Sequence, residues 1–252
     1  MLMKRALYFF FMTIASSGFW ACQNDTPPVS SESPGMTRET PPPVSTSVEP
    51  RQPKASPGNF ENLIADYESK DRVIWQKPGM VISLLGDLAG KAVADLGAGS
   101  GYFAFRLVPK AQKVIGVDID PRFIEFMDSV KVRLPKQYQD RFESRLAQPD
   151  DPMLKPGEVD AVVMVNTYGY IENRVNYLKI LSKGMSDGAE LLIIDFKKNS
   201  LPVGPEDEFK VALSQVEREL KAAGFEIQKI DNEALDYQYI IMAAKRGPRN
   251  DR

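Results

Sequence analysis

The chain has 252 residues, with 32 Lys and Arg against 34 Asp and Glu, a net charge of −2, one cysteine and no histidine. No basic tract breaks the mixed charge pattern, so a polyanion such as nucleic acid is not favoured as a partner. Imidazole general bases and histidine metal sites are excluded, and a lone cysteine allows no disulfide within a folded domain.

In chain order, residues 1–22 have the parts of an export signal. Lys4 and Arg5 precede an apolar run from Ala6 to Ala15. The run is shorter than the roughly 20 apolar residues a membrane-spanning helix needs. Ala21 before Cys22 suits lipoprotein processing, which makes Cys22 the lipidation site. Cleavage after Ser17 or Gly18 and an uncleaved signal are the competing readings. The expectation is a membrane-anchored lipoprotein of the cell envelope, with anchoring on the cytoplasmic face as the alternative. Residues 23–58 are dense in Pro, Ser and Thr. Such a segment buries too little surface to offset chain entropy, so a disordered, extended linker is predicted. The remainder, residues 59–252, is one domain of ordinary size.

Within that domain, apolar spacing predicts helices over Phe60–Tyr67 and Gly79–Leu88. KAVADL is a strand ending at glycines, Tyr102–Val108 a short helix, and KVIGVDI a second strand. Pro121 opens a helix to about Arg133, at the position where proline is tolerated. FESRL is a weak third strand. VDAVVMVN is a valine-rich fourth, of the kind covered on both faces. Asn173–Lys183 is helical, AELLIIDF a fifth strand, and Glu206–Ala223 an amphipathic helix ended by Gly224. FEIQKID and YQYIIMAAK are the last two strands. Alternating strands and helices specify an α/β fold: a parallel sheet with helices on both faces and a ligand at the carboxyl ends of the strands.

The candidate site residues fall at those ends. Asp95, Gly97, Gly99 and Gly101 form D-x-G-x-G-x-G after the first strand, where glycines admit positive φ and close approach of a ligand. The spacing departs from the dinucleotide fingerprint, which argues against a nicotinamide cofactor. Asp118 ends the second strand, where a carboxylate accepts hydrogen bonds from both hydroxyls of a ribose. Asp120, just before Pro121, suits a helix cap. Asp150 and Asp151 follow the third strand, and one of them is placed to accept from the exocyclic amine of an adenine. NTYGYIENR follows the fourth strand and sets Asn166, Thr167, Tyr168, Tyr170 and Glu172 at the mouth of the sheet, where a substrate meets a reactive group. Without histidine or a cysteine in the domain, chemistry rests on carboxylates, tyrosines or lysines, or on a cofactor.

VADLGAGSGYF, GVDIDP, PDDP and the run EVDAVVMVNTYGYIENRVNYLKILSKGMSDGAELLIIDF resemble, in order, the motifs of class I S-adenosylmethionine-dependent methyltransferases. The resemblance covers about Asp71 to Ala244. It implies a Rossmann-like, doubly wound sheet of seven strands, mostly parallel with the last strand antiparallel. It implies S-adenosylmethionine as cofactor, with Gly97 and Gly99 beside its methionine part, Asp118 at the ribose, and Asp150 or Asp151 at the adenine. Asp95 anchors the loop and reaches toward the methionine ammonium. Ala98, Gly101, Tyr102, Ile119 and Asn166 complete the implied cofactor site, and no metal is implied. A bacterial subgroup that shares the lead-in DRVIWQKPG commonly has a pair of histidines where this chain has Gly169 and Tyr170. The expected function is methyl transfer to a small-molecule acceptor, with Tyr168, Tyr170 and Glu172 as catalytic candidates. The alternative is a non-catalytic, envelope-anchored ligand-binding protein on the same scaffold.

Overall fold

The structure is a computed structural model and describes residues 60–247. The export signal, Cys22 and the linker lie outside the described residues. Among the described residues, eight α-helices and seven strands follow one another from α1 (Phe60–Tyr67) to β7 (Gln238–Lys245). The lead-in holds α2 (Arg72–Gln76) and α3 (Pro78–Ser83), and β1 (Ala92–Leu96) opens the alternating part. There follow α4 (Ala104–Leu107), β2 (Lys113–Asp118), α5 (Pro121–Lys131), α6 (Lys136–Gln139), β3 (Phe142–Leu146) and β4 (Val159–Val165). The chain closes with α7 (Arg174–Gly184), β5 (Met185–Phe196), α8 (Leu213–Ala222), β6 (Phe225–Asp231) and β7.

The strands form one sheet in the order β3-β2-β1-β4-β5-β7-β6. β1 to β5 pair in parallel, and β7 lies antiparallel between β5 and β6. The order reverses between β1 and β4, so their carboxyl ends flank the crevice where open α/β sheets take ligands. This is the seven-stranded, doubly wound sheet that the motif order implies.

Each central strand is buried on both faces. Ala94, Leu96, Val162, Met164, Leu191 and Ile193 point into one core layer, shared with α7 and α8. The alternating Val93, Ala161, Val163, Leu192 and Ile194 point into the other, shared with α3 and α4. Full burial of such side chains contributes about 1.5–3 kcal/mol each, which explains why these strands read as unbroken apolar runs.

Local signals set several element ends. The Asp120 carboxylate accepts from the Arg122 amide at 2.9 Å and caps α5, with Pro121 in its first turn. Three predicted helices are shorter than the pattern suggests, and the one expected over Tyr102–Val108 is only Ala104–Leu107. The lead-in helix stops at Ser83, before a turn at Gly86 with φ of 64°. The helix expected from Glu206 begins only at Leu213. The intervening chain folds back instead, because the buried Lys210 ammonium donates to the Asn199 carbonyl at 3.0 Å and to Asp207 Oδ1 at 2.9 Å. That fold-back forms the wall at one end of the cleft.

Candidate active site

A cavity of about 650 Å³ opens at the carboxyl ends of β1, β2 and β4. Its floor is the loop after β1. Gly97 and Gly99 have φ of 68° and 54°. A Cβ on Gly97 would lie 2.3 Å from Thr167 Oγ1, and one on Gly99 would lie 2.7 Å from the Tyr67 ring. Only glycine lets the loop run between these two neighbours. The Gly99 amide donates to Asp118 Oδ2 at 2.8 Å, and the Asp120 amide donates to Asp118 Oδ1 at 3.0 Å. An ionised carboxylate has about four lone-pair sites, so Asp118 keeps acceptor capacity toward the cavity.

Asp95 and Asp118 are both buried, and burial is the main cause that raises each pKa. The Asp95 carboxyl is pushed up to about 7, opposed by the Ala104 amide and by the nearby Arg72 guanidinium. Its Oδ2 is buried with no hydrogen-bond partner. A buried acceptor left open at a cleft floor can take a donor from a ligand.

Nine of the residues predicted to hold a cofactor line this cavity: Asp95, Gly97, Ala98, Gly99, Tyr102, Asp118, Ile119, Asp150 and Asn166. Gly101 and Asp151 do not line it. Gly101 closes the loop turn by donating to the Ala98 carbonyl at 2.8 Å. Asp151 Oδ1 accepts from the Met153 amide at 2.7 Å and stays within its own turn. Of the pair left open by the sequence, Asp150 therefore faces the ligand space. Tyr102 is 3% exposed and braces the loop, its ring held between the guanidinium groups of Arg72 and Arg106 at 4.1 and 3.6 Å.

The catalytic candidates separate. Tyr170 and Glu172 line the cavity. The Tyr170 ring stacks on Phe209 at 4.9 Å, and burial first, then nearby Tyr67 and Asp195, push its hydroxyl up to about 12. Tyr168 turns the other way and is fully buried. Its hydroxyl donates to Glu219 Oε2 at 2.6 Å, and Arg174 Nε donates to the same oxygen at 2.8 Å. Tyr168 is thus a packing residue of the α7–α8 layer, because burial beside a paired carboxylate suits its phenol better than the wet cleft.

Several lining residues were not singled out from sequence. Arg72 and Trp75 come from the lead-in, Phe196 from the end of β5, and Gly204 and Pro205 from the fold-back before α8. The lead-in motif DRVIWQKPG carried a signal for the first two. Nothing local marks the others, since tertiary folding alone brings them to the cleft.

Residues 94–191 match the family model described as "Methyltransferase domain". The chain is similar to the tRNA U34 carboxymethyltransferase of Actinobacillus succinogenes, 26% identical over 161 residues, covering 62% of this chain and 48% of that protein. A S-adenosylmethionine-dependent methyltransferase from Aquifex aeolicus superposes with a TM-score of 0.68 at 22% identity, covering 76% of this chain and all of that one. The [4+2]-cyclase SpnF superposes with a TM-score of 0.59 at 13% identity, over 68% of this chain and 80% of that one. The chain spans about half the length of the curated relatives it matches. The match and the superpositions show a methyltransferase-type fold, with residues 94–191 similar to a methyltransferase domain.

The residues present would fit S-adenosylmethionine, the cofactor that the resemblance implies. Asp118 retains acceptor sites for ribose hydroxyls, the open Asp95 oxygen suits the ammonium, and the glycine loop leaves room for close approach. A pH dependence follows. In the ligand-free fold the Asp95 pKa lies above its ordinary 3.8, so this group's contribution to stability falls as pH rises from about 4 to 7. A cationic partner favours the ionised carboxylate, so affinity for S-adenosylhomocysteine should rise between about pH 5.5 and 8, with proton release. Calorimetry in buffers of different ionisation enthalpy measures both. The Asp95→Asn variant should flatten the dependence, and an unchanged slope in that variant would assign it to another group.

Proposed function

We propose that this protein transfers a methyl group to a small, planar acceptor held at the Tyr170 end of the cleft. The observation that carries this reading is the mixed lining of the cavity, which holds the glycine loop, Asp95 and Asp118 together with Trp75, Phe196 and Tyr170. Trp75 and Phe196 meet at 5.8 Å between ring centroids, which suits stacking against a flat molecule. The bound cofactor brings an activated methyl group on its sulfonium. The protein's part is to orient both molecules and exclude water, which supplies most of the rate where no strong base is present.

A small acceptor also fits the charge. Asp66, Asp118, Asp120, Asp150 and Glu172 line the opening against Arg72 and Arg122. This is a poor mouth for a polyanion. Placement in the envelope, through Cys22 or an uncleaved signal, is part of the proposal and rests on residues 1–22 alone.

A second reading, ligand binding without methyl transfer, draws on Gly169. The Phe209 carbonyl occupies the place where the resembling subgroup carries a histidine. Both readings are tested with the full chain. S-Adenosylhomocysteine should bind with a micromolar Kd, and radiolabelled methyl should move from S-adenosylmethionine to members of a small aromatic library. Binding with no transfer to any library member would support the second reading. No binding at millimolar ligand would remove the first.

A further inference from the structure

Helix α2 has two faces in different surroundings. Arg72 and Trp75, three residues apart, share one face and line the cavity. Gln76, on the same side, is fully buried. Val73 and Ile74 point the other way and are 55% and 74% exposed. Single apolar side chains at a surface are ordinary. Among the described residues, these two are the only large exposed apolar side chains adjacent in sequence, since Ile119, Val132, Leu146, Met153 and Ile230 each stand alone. They sit on the rim of the cleft, beside the place where Trp75 meets Phe196. Lys70 and Lys77 flank them, both exposed, with Asp71 the one acid in between.

The chain itself supplies a partner for this face. Residues 1–22 carry the parts of an export signal, with Cys22 as the expected lipid site, and the segment after them joins the domain at α1. Leu63, Asp66 and Tyr67 of α1 line the same cavity, so the tether meets the domain on the cleft side. A Pro-rich segment as long as residues 23–58 spans up to about 110 Å when drawn out, at about 3.1 Å per residue. Such a tether keeps the domain near a bilayer without orienting it. Two aliphatic side chains cannot hold a membrane by themselves, since even a single myristoyl chain binds only marginally. Tethering changes that balance, because a contact made within one anchored molecule needs little intrinsic affinity to be populated.

We propose that the outer face of α2 rests on the lipid surface, so that the cleft opens at the bilayer. Val73 and Ile74 enter the acyl boundary, while Lys70 and Lys77 reach anionic headgroups, as interfacial elements do. The inference rests on the envelope placement proposed above and names the partner that the cleft rim meets there.

The test uses the full chain reconstituted in vesicles of phosphatidylcholine with about one third phosphatidylglycerol. Trp20→Phe removes the tryptophan of the signal, and Trp75 is left as a common background measured in that variant alone. Ile74→Trp then places a reporter on the rim. Val132→Trp places the same reporter at the opposite edge of the sheet, because α5 starts after the carboxyl end of β2 and runs back to Lys131. Both positions are exposed, so both variants should fold. Acyl-brominated phosphatidylcholine should quench the reporter at 74 about twofold or more, and the one at 132 by less than about a fifth. Adding Val73→Asp to the Ile74→Trp chain should about halve the quenching. Equal quenching at 74 and 132 overturns the inference and leaves the pair to a protein partner. Quenching at 74 that survives Val73→Asp unchanged overturns it as well. A chain that does not float with the vesicles removes the envelope placement and the docking face together, whereas a floating chain with an unquenched reporter at 74 removes the docking face alone.

Discussion

Replacing Asp118 by alanine is expected to weaken S-adenosylhomocysteine binding by about 10- to 150-fold. Loss of charge-assisted hydrogen bonds costs roughly 1.5–3 kcal/mol. The geometry suggests the upper half of that range. In the proposed site Asp118 would accept from ribose hydroxyls, and it fastens the loop through the Gly99 amide at 2.8 Å. Its removal deletes one contact and loosens another. Asp118→Asn separates the two effects, since one amide oxygen can still hold one of the two backbone N–H groups. It should bind more tightly than the alanine variant and more weakly than wild type. Calorimetric titration gives all three constants. An alanine variant within about threefold of wild type would mean that the carboxylate only fastens the loop.

Gly169→Ala and Gly169→His should each lower the melting temperature by roughly 5–15 °C. A Cβ at this position would sit 1.7 Å from the Phe209 carbonyl oxygen and 2.9 Å from its carbon. These are backbone atoms and cannot swing aside. The fold-back that ends at Lys210 must shift, breaking the Tyr170–Phe209 stack. Overpacking of this kind costs about 1–3 kcal/mol or somewhat more, and each kcal/mol moves a domain of this size by about 2–4 °C. Tyr170→His meets no such obstacle and should cost less. Differential scanning calorimetry decides the matter: a Gly169→Ala variant melting within about 2 °C of wild type would show that the loop relaxes freely. On this account, restoring the subgroup's histidine at 169 cannot restore its chemistry, because the space belongs to another segment.

The sheet was legible because its signals are local and redundant. Val93–Leu96, Val114–Val117 and Val159–Val165 are apolar runs ending at turn residues, and Asp120–Pro121 is an explicit helix start. The glycine-loop end of the cleft was legible for the same reason, since its residues follow strand ends in chain order. The opposite end was not. Phe196, Gly204 and Pro205 reach the cavity only because Lys210 folds the chain back, and a buried lysine leaves no periodicity to read. The α8 pattern extended over that stretch because apolar spacing alone does not register a competing tertiary contact. Tyr168 and Tyr170 carry the same side chain two residues apart, yet one packs on Glu219 and the other faces the cleft. Only the short turn they share decides which is which.

The buried amides of Gln76 and Gln238 also bear on the order in which this molecule assembles, since Gln76 Nε2 donates to Gln238 Oε1 and Gln238 Nε2 donates to Asn166 Oδ1. Gln76 and Gln238 are 162 residues apart, and Gln238 and Asn166 are 72 apart. Contacts of such long sequence separation form late, after loop-closure entropy has been overcome by more local structure. The glycine loop needs only the first strands and the lead-in. The Asn166 side chain gains its Gln238 partner only when β7 has entered the sheet between β5 and β6. During synthesis the glycine-loop end of the cleft can therefore take shape first, while the Asn166 corner awaits the C-terminal hairpin.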